Sequence, residues 1–500
     1  MLLAKCAILG YSKKSKQQVI GKVVNGMLDL EFKRKFSRPM YKNMRIGLGE
    51  MCFYKDFVLD NRGDPYPVVE KSEDCLEEVS GNRYYLHRGR VERIVCQFFP
   101  YGTFEADICQ LDGEAGLGFR LPEAVARIIV DGEEVVFTCG DERQSQKLPA
   151  FLGTQFQLLV SCRPGAFDVY FRYREKPEYI CTFLSDSFLD ADRETVFQDS
   201  YVSLILSGRV TVRRVEGAVD NGVSLADLRP IRYEDGQILL EQGKVYLTAS
   251  IRLQEGNYQG IFSWVPGTDQ FEMTGVLFFD CGDGKWRGYL ASVILRNRKD
   301  GNWYVWTSSF HYTHRLAWGS FEGDPRFGVN VVDVKLMEPA EDPTDGTVFA
   351  GIRGDEDPDL IYLPEEDAWL LAICRVMPDT GNYGYVFFRS QDPFTGFQAV
   401  GKGLPGSETG GSFVKTPEGL CFVCGNDFHA TSEYRIYDAG GMRNAVFRYP
   451  DGGFRGWGTV LPLKLGSRLR YFWITFDRHK GSSYNWSYGN IYGFEGVKPE

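Results

Sequence analysis

The chain has 500 residues, of which 43% are hydrophobic, 25% charged and 14% aromatic, and its formal net charge is -10. This length exceeds one ordinary core and predicts two or three domains. The acidic balance argues against nucleic acid or an anionic membrane surface as a partner, and no apolar run reaches the roughly 20 residues of a bilayer span.

The opening stretch MLLAKCAILGYSKKSK breaks its apolar residues at Lys5. It has neither a basic leading segment nor a small-residue cleavage site, so no signal peptide is expected. The 12 cysteines are scattered, many inside apolar strands, as in a cytoplasmic protein with reduced thiols. Cys421 and Cys424 are close in sequence, but residues three apart in a strand face opposite ways, which argues against a metal or redox pair. Residues 10–24 fit either a short helix or an exposed arm.

Residues 85–215 read as strand after strand: RIVCQFF, GTFEADICQL, AGLGFRL, VARIIVDGEEVVFTC, QFQLLVSCR, FDVYFRYR, YVSLILSG. Turn residues punctuate them, and IIVDGEEVVF carries Asp-Gly at a hairpin turn. Regular short strands of this kind predict a β-sandwich, a jelly roll of the concanavalin or laminin-G type, over residues 1–220. From residue 226 a unit repeats. Its second strands are VYLTAS, WYVWTSS, WLLAIC, LCFVCG and YFWITF, which begin at 245, 303, 369, 420 and 471. Each is followed by a polar loop and a further strand. Five such units predict a five-bladed β-propeller over residues 226–500. The fold expected is therefore all-β, a sandwich followed by a propeller.

In a propeller the innermost strand of each blade lines the central channel, and the starts of those strands crowd one mouth. Two segments enter a hairpin through an acid: EDGQILLEQGKVYLTAS with Asp235 and EDPDLIYLPEEDAWLLAIC with Asp357. Crowded carboxylates separate in pKa, so one serves as base and another as acid. Glycoside hydrolysis needs such a pair, and their separation decides between retention and inversion.

These segments, together with RSQDPFTGF at 389–397, resemble the five-bladed propeller glycosidases, a group that includes arabinanases, xylosidases and invertase-like fructosidases. The resemblance spans roughly residues 226–500. It implies that Asp235 is the base or nucleophile, that Asp357 orients and tunes the acid, and that Glu408 in GSETGGSFVK is the acid. Three departures stand out: Gly236 replaces a usual proline, Glu408 lacks the Glu-Gly-Pro context, and KWRGYLASVIL lacks the Pro-Asp of a second-blade entry.

Loops that leave the second strands fall on the same mouth as the acids, because adjacent strands run antiparallel. They carry His311, His314, Arg315, Asp427, His429, Asp477, Arg478 and Trp486, residue types that hold sugar hydroxyls and rings. No His/Cys metal spacing and no phosphate-cradling loop is present, so no cofactor is expected. A structural Ca²⁺ held by water and backbone oxygens would leave no mark in sequence. The expected function is hydrolysis of a small oligosaccharide or glycoside in the cytoplasm. The alternatives are a phosphorylase, with Arg315, Arg478, His479 and Lys480 around phosphate, or a non-catalytic sugar-binding protein. The sandwich is open to three roles: binding glycan, packing on the propeller, or forming a homo-oligomer.

Overall fold

A computed structural model describes residues 30–48, 67–80, 83–149, 153–254, 256–309, 315–337, 354–377, 381–400, 408–426, 434–438, 441–448, 458–476 and 489–497. The chain divides into two compact units. The first is Met1–Met40, Asn221–Gly282 and Gly288–Glu500; the second is Tyr41–Asp220 with Asp283–Arg287. Of the described residues expected in 1–220, Glu31–Pro39 belongs to the propeller unit.

The first unit is a ring of five sheets. Blade one runs outward as Ser224–Pro230, Lys244–Arg252, Asn257–Trp264 and Phe271–Asp280, with Gly328–Asp333 added parallel to the last. Blade two is Leu290–Arg296, Trp303–Ser309, Arg315–Phe321 and Lys335–Leu336. Blade three is Glu356–Leu363, Ala368–Val376, Tyr383–Ser390 and Gln398–Ala399. Blade four is Glu408–Thr416, Gly419–Asn426, Tyr434–Asp438 and Gly441–Asn444. Blade five is Thr459–Leu465, Arg468–Phe476 and Asn490–Val497, completed by Glu31–Pro39 from the N-terminus. Ring closure is the reason Glu31–Pro39 lies with the propeller.

Blades bury both faces against their neighbours, so their middle strands read as unbroken apolar runs rather than alternating ones. Trp303–Ser309 is buried at every position. Ile294 and Val305 of blade two pack with Ile261 and Leu277 of blade one, and Trp306 and Leu295 with Leu360 and Leu371 of blade three. Trp264 of blade one meets Phe472 of blade five edge-on at 5.6 Å between ring centres.

The second unit is a β-sandwich. Thr103–Arg120 and Tyr201–Asp220 pair antiparallel along nearly their whole lengths. The other edge of Thr103–Arg120 carries two strand sets. Phe156–Arg163 extends to Ala166–Arg172 and Glu178–Leu184, while Val125–Val130 extends to Glu134–Cys139 and Glu142–Lys147. Phe137 of the second set lies over Phe167 and Phe183 of the first, at 5.6 and 5.4 Å. Val125–Val130 and Glu134–Cys139 bury alternate residues, the period of a sheet with one face in a core. The predicted Asp-Gly turn forms between them: Asp131 Oδ1 accepts from the Glu133 and Glu134 amides, and Gly132 takes φ +97°.

Trp286 from the short segment Asp283–Arg287 fills this unit, edge-on to Phe197 at 4.8 Å and to Phe99 at 6.2 Å. Beside it burial pushes the Asp192 carboxyl up to about 6, opposed by Lys285 and Arg287. A carboxyl whose folded value is raised binds its proton more tightly folded than unfolded, so stability falls as pH rises through that interval. Asp192 is therefore expected to cost the fold stability progressively between about pH 4 and pH 6, by at most about 3 kcal/mol. Urea midpoints at pH 4.5 and 7 should differ more for the wild type than for Asp192→Asn. Equal differences would refute this.

Candidate active site

One backbone device recurs along the channel. The inner strands of four blades each carry a bulge, marked by register shifts between Ala226 and Arg229, Leu290 and Val293, Glu356 and Asp359, and Thr409 and Ser412. At each bulge one residue adopts a left-handed conformation: Asp227 (φ +55°), Ala291 (+50°), Asp357 (+47°) and Gly410 (+60°). Only glycine is at ease there. An aspartate held in this region costs on the order of 1–3 kcal/mol and tends to mark a functional position. Serines from the preceding blade cap two of these bulges. The Ala291 amide donates to Ser250 Oγ at 2.9 Å and the Asp357 amide to Ser308 Oγ at 2.9 Å.

The blade-one counterpart of Asp357 is therefore Asp227, not Asp235. Both flank the same middle strand. Asp235 precedes Val245 by ten residues, the interval that separates Gly410 from Leu420, whereas Asp227 precedes it by eighteen. A longer connection, Ile231–Gly243, intervenes in this blade, and its Leu240–Glu241 pairs with Lys244 and Val245 to mimic an inner strand. Asp235 lies in a tight turn. Its Oδ1 accepts from the Gln237 amide, and its carboxylate pairs with Arg298 at 3.1 Å. The neighbouring Glu234 carbonyl accepts from the Tyr362 amide. Tyr362 is five residues beyond Asp357 on the same strand, which at about 3.3 Å per residue puts Asp235 roughly 16 Å away, at the other end of the channel. The expected meeting of Asp235 and Asp357 is not formed.

Asp227, Glu356, Asp357 and Arg252 do come together. Asp227 is 3% exposed and its Oδ2 pairs with Arg252 Nη2 at 3.3 Å. Burial raises its pKa, Arg252 opposes this, and the charge of Asp357 adds to it. Asp357, 8% exposed, accepts at Oδ2 from the Thr409 hydroxyl (2.7 Å) and the Gly410 amide (3.0 Å) of blade four. Glu356 keeps part of its surface exposed and takes a hydrogen bond from Tyr383. Burial, then the adjacent Asp357 charge, drives its carboxyl well above the ordinary range. Below them Arg229, fully buried, donates from Nη1 to the Gly410 carbonyl at 3.0 Å.

Glu408 stands at the head of the blade-four inner strand, but its carboxylate is turned into the protein. It is 0% exposed, and its Oε1 accepts from Arg435 at 2.8 Å and from the Tyr437 hydroxyl. Burial raises its pKa against these two donors. Arg315 lies opposite Ser309, at the end where the inner strands begin, and its Nε donates to the Met337 carbonyl at 3.1 Å. His311, His314, Asp427, His429, Asp477, Arg478 and Trp486, with His479 and Lys480, lie outside the described residues.

Carboxylate oxygens of Glu356 and Asp357 and the Cys374 thiol lie within 4.8 Å of one another. A divalent cation fits this trio poorly. Asp357 Oδ2 is already committed to two donors, burial keeps the Cys374 thiol protonated, and the Arg252 guanidinium competes for the carboxylates.

No protein-family model and no curated protein matches the chain. Among solved structures it is similar to an α-L-arabinofuranosidase from Podospora anserina in complex with cellotriose, at 13% identity over 56% of this chain and 92% of that one, TM-score 0.37. It is also similar to a levansucrase variant from B. subtilis, at 11% identity over 56% and 87%, TM-score 0.40. A third is a carbohydrate-binding module, CBM66, from Bacillus subtilis, at 14% identity over 34% and 96%, TM-score 0.24.

Proposed function

We propose that the propeller cleaves a glycosidic bond in a small oligosaccharide or glycoside at the end where its inner strands begin. The observation that supports this reading is the pairing of Asp227 with Asp357. These carboxylates come from blades one and three and stand on the same kind of left-handed bulge beside Arg252, with the Arg229 charge also acting on Asp227. The transition state of the reaction is oxocarbenium-like and gains positive charge. Carboxylates already fixed beside the reacting carbon stabilise that charge before the substrate arrives. Asp227 takes the proton of the attacking water, or attacks the sugar itself. Asp357, fixed by Thr409 and Gly410, orients the group. Arg252 is matched by carboxylates, so a neutral sugar suits the site better than a charged one.

A cytoplasmic location goes with this reading, since most described cysteines are thiols buried in strands. The test is release of aglycone from a panel of aryl glycosides, with and without inorganic phosphate. Turnover of at least one, independent of phosphate, is expected. Turnover only with phosphate would make the chain a phosphorylase. No turnover of any aryl glycoside or oligosaccharide would refute an enzymatic role.

A further inference from the structure

We propose that Glu356 is the proton donor to the departing oxygen, and that Glu408 is not. This rests on the glycosidase reading above. Of the acids at the channel mouth, Glu356 retains exposed surface, whereas Glu408 has none and its Oε1 is held by Arg435 and Tyr437. Glu356 and Asp357 bring carboxylate oxygens within 4.8 Å of each other, and the Asp357 charge opposes ionisation of Glu356. Asp357 Oδ2 is already taken up by the Thr409 hydroxyl and the Gly410 amide, which leaves Glu356 as the carboxyl open to a ligand.

A second feature points to a ligand at the same place. Arg229 is fully buried and its charge acts on Asp227, yet its Nε and Nη2 have no hydrogen-bond partner among the described residues. Buried donors of this kind call for an oxygen from outside the protein. An enclosed water supplies one.

The step balances as follows. The bond between the anomeric carbon and the leaving oxygen breaks, and its electron pair stays on that oxygen, which takes the Glu356 proton and departs as an alcohol. Water adds to the anomeric carbon and gives its proton to Asp227. Solvent exchange then takes the proton from Asp227 and returns one to Glu356.

Leaving-group dependence tests this on the full chain, using 2,4-dinitrophenyl and 4-methoxyphenyl glycosides of the sugar that the wild type turns over. Dinitrophenolate departs without a proton, whereas methoxyphenolate needs one. Glu356→Gln should lower kcat/KM about 10²–10⁴-fold for the methoxyphenyl glycoside and far less for the dinitrophenyl one. It should also remove the alkaline limb of the pH profile. Tyr383→Phe, a milder change, removes a hydrogen bond that favours ionised Glu356 and should move that limb to higher pH. Equal losses on both glycosides with the limb intact, no movement of the limb in Tyr383→Phe, or the leaving-group signature in Glu408→Gln instead, would overturn the assignment. Absence of wild-type turnover would refute the glycosidase reading itself, a separate outcome.

Discussion

Asp227→Asn is expected to lower kcat/KM by about 10²–10⁴-fold, the range that a positioned acid or base contributes, while Asp235→Asn leaves it unchanged. Amide replaces carboxylate with little change of volume, so the bulge and its neighbours keep their packing. What is lost is the group that accepts a proton or attacks. The acid side of the pH profile carries the same information. Burial and the Asp357 charge raise Asp227, so activity should fall on acidification at a higher pH than an ordinary aspartate would give. Asp227→Asn should remove that limb. Asp235, by contrast, sits in a turn at the other channel end with Arg298 as its partner. Comparable activity in Asp227→Asn and wild type, or a large loss in Asp235→Asn, would refute the assignment of the site.

The repeat of five units was legible because blades bury both faces. Trp303–Ser309 is buried throughout and Ala368–Val376 at all but its last residue, and strands with such apolar starts at intervals of 51 to 66 residues leave few other folds. Asp357 was legible through its Asp-Pro and the strand behind it. Asp227 was hidden in SLADLRP, where the chain looks like one more apolar strand and the acid stands eighteen residues before its partner strand. What marks it is a backbone angle and a register shift, and neither follows from composition. Glu356 adjoins Asp357, whose Asp-Pro is the stronger sign, and has none of its own. The resemblance points to Glu408, but which way its side chain turns depends on Arg435 and Tyr437, 27 and 29 residues further on. Ring closure by Glu31–Pro39 was equally out of reach, since pairing across most of the chain leaves no local sign.

Arg232→Met is expected to destabilise the propeller by about 3–5 kcal/mol, the cost of leaving a buried partner charge uncompensated. Arg232 sits on the blade-one chain but reaches across the channel. Its Nη2 pairs with Asp359 of blade three at 2.6 Å and donates to the Leu360 carbonyl at 3.1 Å, and its Nη1 donates to the Phe413 carbonyl of blade four at 3.0 Å. Asp359 in turn accepts from the Phe413 amide. Both side chains are buried almost completely. One guanidinium thus ties blades three and four to the Arg232–Tyr233 segment, which itself pairs with Leu295 and Arg296 of blade two. Methionine keeps most of the stem but leaves the Asp359 carboxylate without its cation and two carbonyls without a donor. The melting transition of the propeller should fall by roughly 10 °C. Arg232→Met combined with Asp359→Leu removes the orphaned charge and should recover part of that loss. If the double variant melts no higher than the single one, the penalty does not come from the unpaired carboxylate. If neither variant shifts the transition, the pair does not hold the ring together.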